Sequence, residues 1–204
     1  KSFHEFGHAV ICKRLGGEVH TMGIMLLVFT PLPYMDATSS WAFRSRWARA
    51  LVGAAGILTE VFIAAVATFT WAYSSPGTFH NLSYNVMFLA SISTVLFNAN
   101  PLLRFDGYYI LSDLLDIPNL HTRSREHLRH LVEYYLFGYR DSSSPTHSMK
   151  EAVWMTFFAV ASGLYRILVF TGIILFVADK FLIAGLIMAC ICIVSWGIVP
   201  IFRF

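Results

Sequence analysis

The sequence predicts an all-α polytopic membrane protein, a helical bundle with one helix broken in mid-span and a short buried strand or re-entrant β-hairpin near the N-terminus. Three observations carry this. Of the 204 residues, 56% are hydrophobic and only 13% charged, against roughly 45–50% and about 25% in a soluble domain. Stretches at 50–73, 152–178 and 181–202 are apolar over the required length, since about 20 residues cross about 30 Å of hydrocarbon. A fourth, 84–99, runs into Asn98-Ala99-Asn100-Pro101 before apolar character resumes at Tyr108-Tyr109-Ile110-Leu111. A helix broken at membrane depth is tolerated where it is buried in protein or lines a cavity.

This composition excludes disorder, a disulfide-rich secreted scaffold and an ordinary soluble enzyme. A net charge of +3 is too small to argue for nucleic acid. Cys12, Cys190 and Cys192 are odd in number and have no ligand-type spacing, so they read as packing residues.

Taken in order, Phe3 to Leu15 reads as helix but is too short to span. It is expected to be the remainder of a longer first helix, with no signal peptide visible. Val19 to Val28 is apolar and closed by Thr30-Pro31-Leu32-Pro33, which is the buried strand or hairpin. The 50–73 span carries Glu60, the 152–178 span carries Arg166, and the last span carries no charge. Between 122 and 137, Leu128, Leu131, Val132, Tyr135 and Leu136 recur at helical spacing opposite Arg125, Arg129, His130 and Glu133. That pattern fits a helix lying on the membrane face. His127 and His130 fit a solvated polar face there better than a metal site, and Ser142-Ser143-Ser144-Pro145 reads as a loop.

The expected organisation is one membrane-embedded domain over 1–204. Its parts are a core at 1–116, an amphipathic segment at 117–150 and two C-terminal membrane helices at 151–204. With 16–47 and 113–150 on one side, that side and its helix ends hold 12 of the 15 Lys and Arg. The positive-inside rule makes it cytoplasmic, in a multi-pass cell-membrane protein.

His4-Glu5-Phe6-Gly7-His8 has the H-E-x-x-H form. Residues four apart on a helix lie on one face, so both imidazoles reach one ion while Glu5 projects beside it. Three ionisable groups in one turn of an apolar helix are costly in lipid unless they pair or bind something. Two histidines leave zinc short of the three protein ligands of a catalytic site. Asp106 in Asn100-Pro101-Leu102-Leu103-Arg104-Phe105-Asp106-Gly107 is the candidate third. Pro101 frees a helical carbonyl and Gly107 permits close approach. The alternative is that Asp106 caps the helix that follows.

The pairing of an intramembrane HExxH with a later NPxxxxDG resembles the site-2 protease family, zinc metalloproteases that cut peptides within the membrane. The run Phe105-Asp106-Gly107-Tyr108-Tyr109-Ile110-Leu111 is similar to bacterial peptide zinc metalloproteases, often joined to an adaptor-like segment of export systems. The resemblance covers 1–116 and implies Zn2+ held by His4, His8 and Asp106, with Glu5 as catalytic base. It also implies a bacterial inner-membrane setting with the active site toward the cytoplasm. Two departures stand out. Leu103 replaces a frequent second proline, and Gly56-Ile57-Leu58-Thr59-Glu60 stands where Gly-Pro-x-x-Asn is usual.

The function expected is an intramembrane zinc-dependent endopeptidase acting on membrane-spanning or hydrophobic peptides, with the lipid bilayer and an export-type adaptor as partners. A substrate helix must unwind before attack, and an exposed edge in the 19–30 segment would hold it extended by strand addition. Glu60 and Asn100 are the candidates for substrate contact, Glu60 alternatively forming a structural pair with a cation such as Arg166. The competing reading is a non-catalytic metal-binding component of peptide export or assembly. A channel or transporter that uses the broken helix as an ion site comes third.

Overall fold

The computed structural model describes residues 1–27, 29–136, 138, 146 and 148–195. These residues form a mostly helical protein in two compact units, Lys1–Arg123 and a second beginning at Ser124. Two of the helices are long and apolar enough to cross a membrane.

In the first unit, α1 (Ser2–Arg14) ends where Gly16 takes φ +88° and the Gly17 N–H closes on the Cys12 carbonyl at 3.0 Å. That left-handed C-cap suits glycine, which carries no Cβ penalty. Two strands follow, β1 (Met22–Leu27) and β2 (Thr30–Met35), paired antiparallel from Met22↔Met35 to Leu27↔Thr30. A hairpin is therefore present, but the prolines expected to close the segment lie in its second strand, and the first strand is not buried: Ile24 is 73% and Leu26 74% exposed, and Phe29 at the tip is 96% exposed. The Asp36 N–H bonds the Thr21 carbonyl, which fixes the ladder parity. Pro31 and Pro33 then fall at positions opposite Leu26 and Ile24 that exchange no backbone bonds, the sites where a missing N–H costs the hairpin nothing.

After a 3₁₀ turn at Thr38–Ala42 comes α2 (Arg46–Tyr73), capped by the Ser45 hydroxyl accepting from the Ala48 N–H. This is the central helix, packed against α1, α3 (Thr78–Ser93) and α4 (Asp106–Leu115). Its buried face, including Ala50, Val52, Ala55, Gly56 and Ala67, is small enough for close approach. A Cβ on Gly7 of α1 would lie 2.9 Å from the Ala55 carbonyl oxygen and would strike the Thr59 hydroxyl, so the two backbones meet there.

The expected helix break is present, and it begins upstream of the proline. A π turn over Thr94–Asn98 ends α3, with the Ala99 N–H reaching back to the Thr94 carbonyl at 2.8 Å. π turns concentrate at functional sites. Pro101 lies in the loop that follows, and that loop folds back so closely that a Cβ on Gly107 would sit 2.6 Å from Ala99 carbonyl atoms.

Helix α5 (Leu120–Leu136) begins in the first unit. Its packing departs from the expected amphipathic face. The buried stripe is Leu120, His121, Ser124 and His127, while Tyr135 is 76% exposed. The Tyr108 hydroxyl accepts from the His121 N–H, and Arg104 donates to His121 Nδ1, so specific partners hold the start of this stripe, in which His127 is the residue expected in solvent. In the second unit, α6 (Met149–Lys180) starts at Ser148, whose hydroxyl accepts from the Glu151 N–H, and packs on α7 (Leu182–Ile193). The expected last span is thus seen as 12 helical residues, and its end from 196 onward lies outside the described residues, as does the 142–145 loop.

Candidate metal centre

Both histidines of the HExxH turn are buried, at 5% exposure for His4 and 7% for His8. His8 Nδ1 lies 2.7 Å from the Val52 carbonyl. A carbonyl can only accept, so the ring proton is on Nδ1 and Nε2 presents a lone pair. That Nε2 is 3.2 Å from His4 Nε2, and Asp106 Oδ2 lies 3.0 Å from His4 Nε2 and 3.5 Å from His8 Nε2. Asp106 Oδ2 is buried and has no hydrogen-bond partner. Among the described residues, His4, His8 and Asp106 form the one group of three ligand-type side chains able to hold a metal ion.

The donor set fits a divalent ion. Ligand atoms set tetrahedrally about 2.0–2.1 Å from zinc lie about 3.3–3.4 Å apart, and the three spacings bracket that figure at 3.0, 3.2 and 3.5 Å. Lone pairs converging without a proton donor repel one another, and a cation between them reverses the sign. Asp106 is not a cap. Phe105 occupies the cap position of α4 and no side chain makes a capping bond there, so the carboxylate is free for the cluster.

The α2 backbone at Gly56 runs against the ring edges that carry the two ligating Nε2 atoms. A Cβ on Gly56 would lie 2.5 Å from His4 Cε1, 2.6 Å from His4 Nε2 and closer still to His8 Nε2. The departure at 56–60 thus keeps the one residue whose lack of a side chain the site requires.

Glu5 is half-buried and lines a cavity of about 290 Å³ together with His8, Asp106, Trp41, Arg49 and Tyr109. Met35 and Asp36, at the end of the hairpin, close one side. The backbone N–H and hydroxyl of Thr38 hold the Asp36 carboxyl below the usual carboxylate range. Arg49 anchors another side, with Nε on Asp113 at 2.9 Å, one terminal nitrogen on Asp116 at 2.7 Å and the other on the Phe43 carbonyl at 3.0 Å.

Glu60 and Asn100 are placed differently from the expectation of substrate contact. Neither lines this cavity. Glu60 is buried behind His4 and pairs with Lys1, whose Nζ is 2.9 Å from Oε1, a structural ion pair of the kind the alternative reading expects. Asn100 uses its side-chain carbonyl locally, accepting from the Leu102 N–H at 2.9 Å. The asparagine brought to the site's surroundings is Asn98, which donates to Glu60 Oε2 at 2.6 Å. A helical reading of 56–60 contains the missed signal: Glu60 falls one turn beyond Gly56 on the same face, beside the first histidine.

No protein-family model, curated protein or solved structure matches this chain.

Proposed function

We propose that this chain is an intramembrane zinc endopeptidase, with His4, His8 and Asp106 as the zinc ligands and Glu5 as the base. The observation that carries the reading is the convergence of three ligand atoms within 3.0–3.5 Å of one another, with Glu5 on the wall of the adjoining cavity. Two nitrogens and one carboxylate oxygen suit zinc, and three protein ligands are the number that leaves a position open for chemistry. The motif pairing resembles the site-2 protease family, which supplies the reaction class.

Bound zinc would supply Lewis acidity toward the scissile carbonyl and lower the pKa of water at that position. The remaining work belongs to the chain. Glu5 accepts the proton of the attacking water and returns it to the leaving amine. Val52 holds the His8 ring, and the absence of a side chain at Gly56 leaves the ligating edges of both rings their room beside α2.

A membrane setting is supported by α6, whose apolar window is only 6% buried, where a core helix of a soluble protein would be mostly covered; the chain is proposed to cross more than once. The basic side, and with it the end of α1 that carries Lys13 and Arg14, is proposed to face the cytoplasm. The hairpin is suited to holding an unwound peptide. On β2 the outward positions include Pro31 and Pro33, which have no N–H to give, whereas Met22, Ile24 and Leu26 of β1 offer both donor and acceptor. The edge able to build a full ladder with substrate is therefore that of β1.

Metal analysis and peptide cleavage on the same purified preparations test this. His4→Ala or Asp106→Ala is expected to lose zinc and cleavage together. Glu5→Gln is expected to keep near-full zinc while turnover falls by about 10²–10⁴. Full cleavage in Glu5→Gln refutes the mechanism, and absence of any bound metal in the unmodified protein refutes the site. An intact metal site with no cleavage of any hydrophobic peptide would favour the non-catalytic export component instead.

A further inference from the structure

We infer that Glu60 is a positioning residue for the metal site, accepting a hydrogen bond from the Nδ1–H of His4 on its Oε1 and so fixing that ring with Nε2 toward His8 and Asp106. The inference rests on the metal-site reading above.

His4 Nδ1 is buried and forms no well-aligned hydrogen bond, and Glu60 Oε1 stands 3.3 Å from it. Its counterpart, His8 Nδ1, is fixed by the Val52 carbonyl. A neutral imidazole carries one ring proton. With that proton on Nε2, His4 would aim a hydrogen into the cluster and close it to a cation. With the proton on Nδ1, all three converging atoms present lone pairs. Among the described residues, Glu60 is the acceptor placed to enforce the second state.

The rest of the carboxylate's surroundings explain why a charge is stable there. Glu60 is 7% exposed in an apolar helix, a costly place for a carboxylate without partners. Oε1 receives Lys1 Nζ at 2.9 Å, and Oε2 receives the Thr94 hydroxyl and Asn98 Nδ2, each at 2.6 Å. With His4 these make four donors, matching the roughly four lone-pair sites of a carboxylate. Thr94 and Asn98 bound the π turn that breaks the helix ahead of Asp106. One carboxylate therefore ties α1, which brings the two histidines, to the break that leads to the aspartate. A carboxylate behind a ligating imidazole also raises its basicity, and losing such a partner costs metal affinity about 10–100-fold.

The test uses the full chain in detergent and reads Zn2+ affinity by chelator competition, the visible spectrum of bound Co2+, and Tm. Glu60→Ala is expected to weaken zinc about 10–100-fold. Glu60→Gln, whose amide oxygen still accepts, is expected to weaken it less, and both are expected to shift the Co2+ bands. Thr94→Val removes a bond to Oε2 and leaves Oε1 facing His4. It should lower Tm with zinc affinity and Co2+ bands close to those of the unmodified chain. If the Ala variant does not fold, the Gln variant decides. Unchanged zinc affinity and Co2+ bands in the folded Glu60 variants would overturn the inference while leaving the metal site standing. So would a loss in Thr94→Val equal to that in the Glu60 variants, because Glu60 would then be only a structural tie. An unmodified chain that binds no zinc overturns the site and the inference together.

Discussion

Replacing Gly56 with alanine sets a methyl carbon against the ligating edges of both histidine rings, 2.5 Å from His4 Cε1 and 2.6 Å from His4 Nε2. Carbon contacts settle near 3.5 Å, so the rings must withdraw by about 1 Å. Metal–ligand distances tolerate only about 0.2 Å. In an ordinary helix interior the same change stabilises by about 0.8–1 kcal/mol, while overpacking costs about 1–3 kcal/mol. The net is about 0–2 kcal/mol of destabilisation, so Tm is expected to fall modestly. Zinc affinity is expected to fall at least as far as the roughly 10–100-fold lost with a hydrogen bond to a ligating histidine. Gly53→Ala, nearly one turn earlier, is the control, because its methyl meets only the Ile110 side chain at 3.1 Å and that chain can shift. Chelator competition on the two variants in parallel reads the difference. Wild-type zinc affinity in a folded Gly56→Ala would refute the placement of the rings against α2, and with it the site geometry.

Arg49→Ala is expected to cost about 1–3 kcal/mol by leaving the half-buried Asp113 without its donor; equal Tm with and without the change would refute the bridge from α2 to α4. His127 is buried on α5, and burial holds its pKa below the usual 6.5, with His130 adding to the effect. The unfolded chain then binds a proton that the folded chain refuses, so stability falls as pH drops through the window below 6.5. His127→Leu should flatten the decline in Tm between pH 7.5 and 5, by at most about 1.4 kcal/mol per pH unit; parallel profiles would show that His127 does not titrate in that window.

Much of the unit that carries the site was legible because it rests on short-range patterns. The i,i+4 histidines of α1, the apolar length of α2 and the break before Asp106 all depend on spacing within one segment, whereas the prolines expected to close the hairpin lie inside its second strand. What escaped the sequence is long-range. Glu60 meets Lys1 across 59 positions and Asn98 across 38, and no periodicity encodes such a meeting. Its expected role as a substrate contact followed from its being an unpaired intramembrane carboxylate, and folding pairs it. The break is legible at Asn98-Ala99-Asn100-Pro101, but the π turn at Thr94–Asn98 that begins it carries no sequence signal, and Thr94 and Asn98 bond Glu60 on another helix. On α5, hydropathy alone put His127 in water, and packing put it inside.

The contacts that deliver the three ligands do not depend on an ion. Close backbone approach at Gly7 sets α1 on α2, and the Val52 carbonyl sets the His8 ring. The Glu60 carboxylate ties the π turn to α2, and the approach of Gly107 to Ala99 aims the start of α4. Arg49 then holds the far end of α4 through Asp113 and Asp116. In a small zinc-dependent domain the ion itself organises the chain, and binding free energy is folding free energy. Here the apolar packing of α2 against three helices orders the ligands first, so ion affinity depends on how well that packing holds the lone pairs in register. A substitution beside the ligating edges, at Gly56, is therefore the one that best separates metal affinity from fold stability. Substitutions in the ligands remove both the donor and its place in the packing.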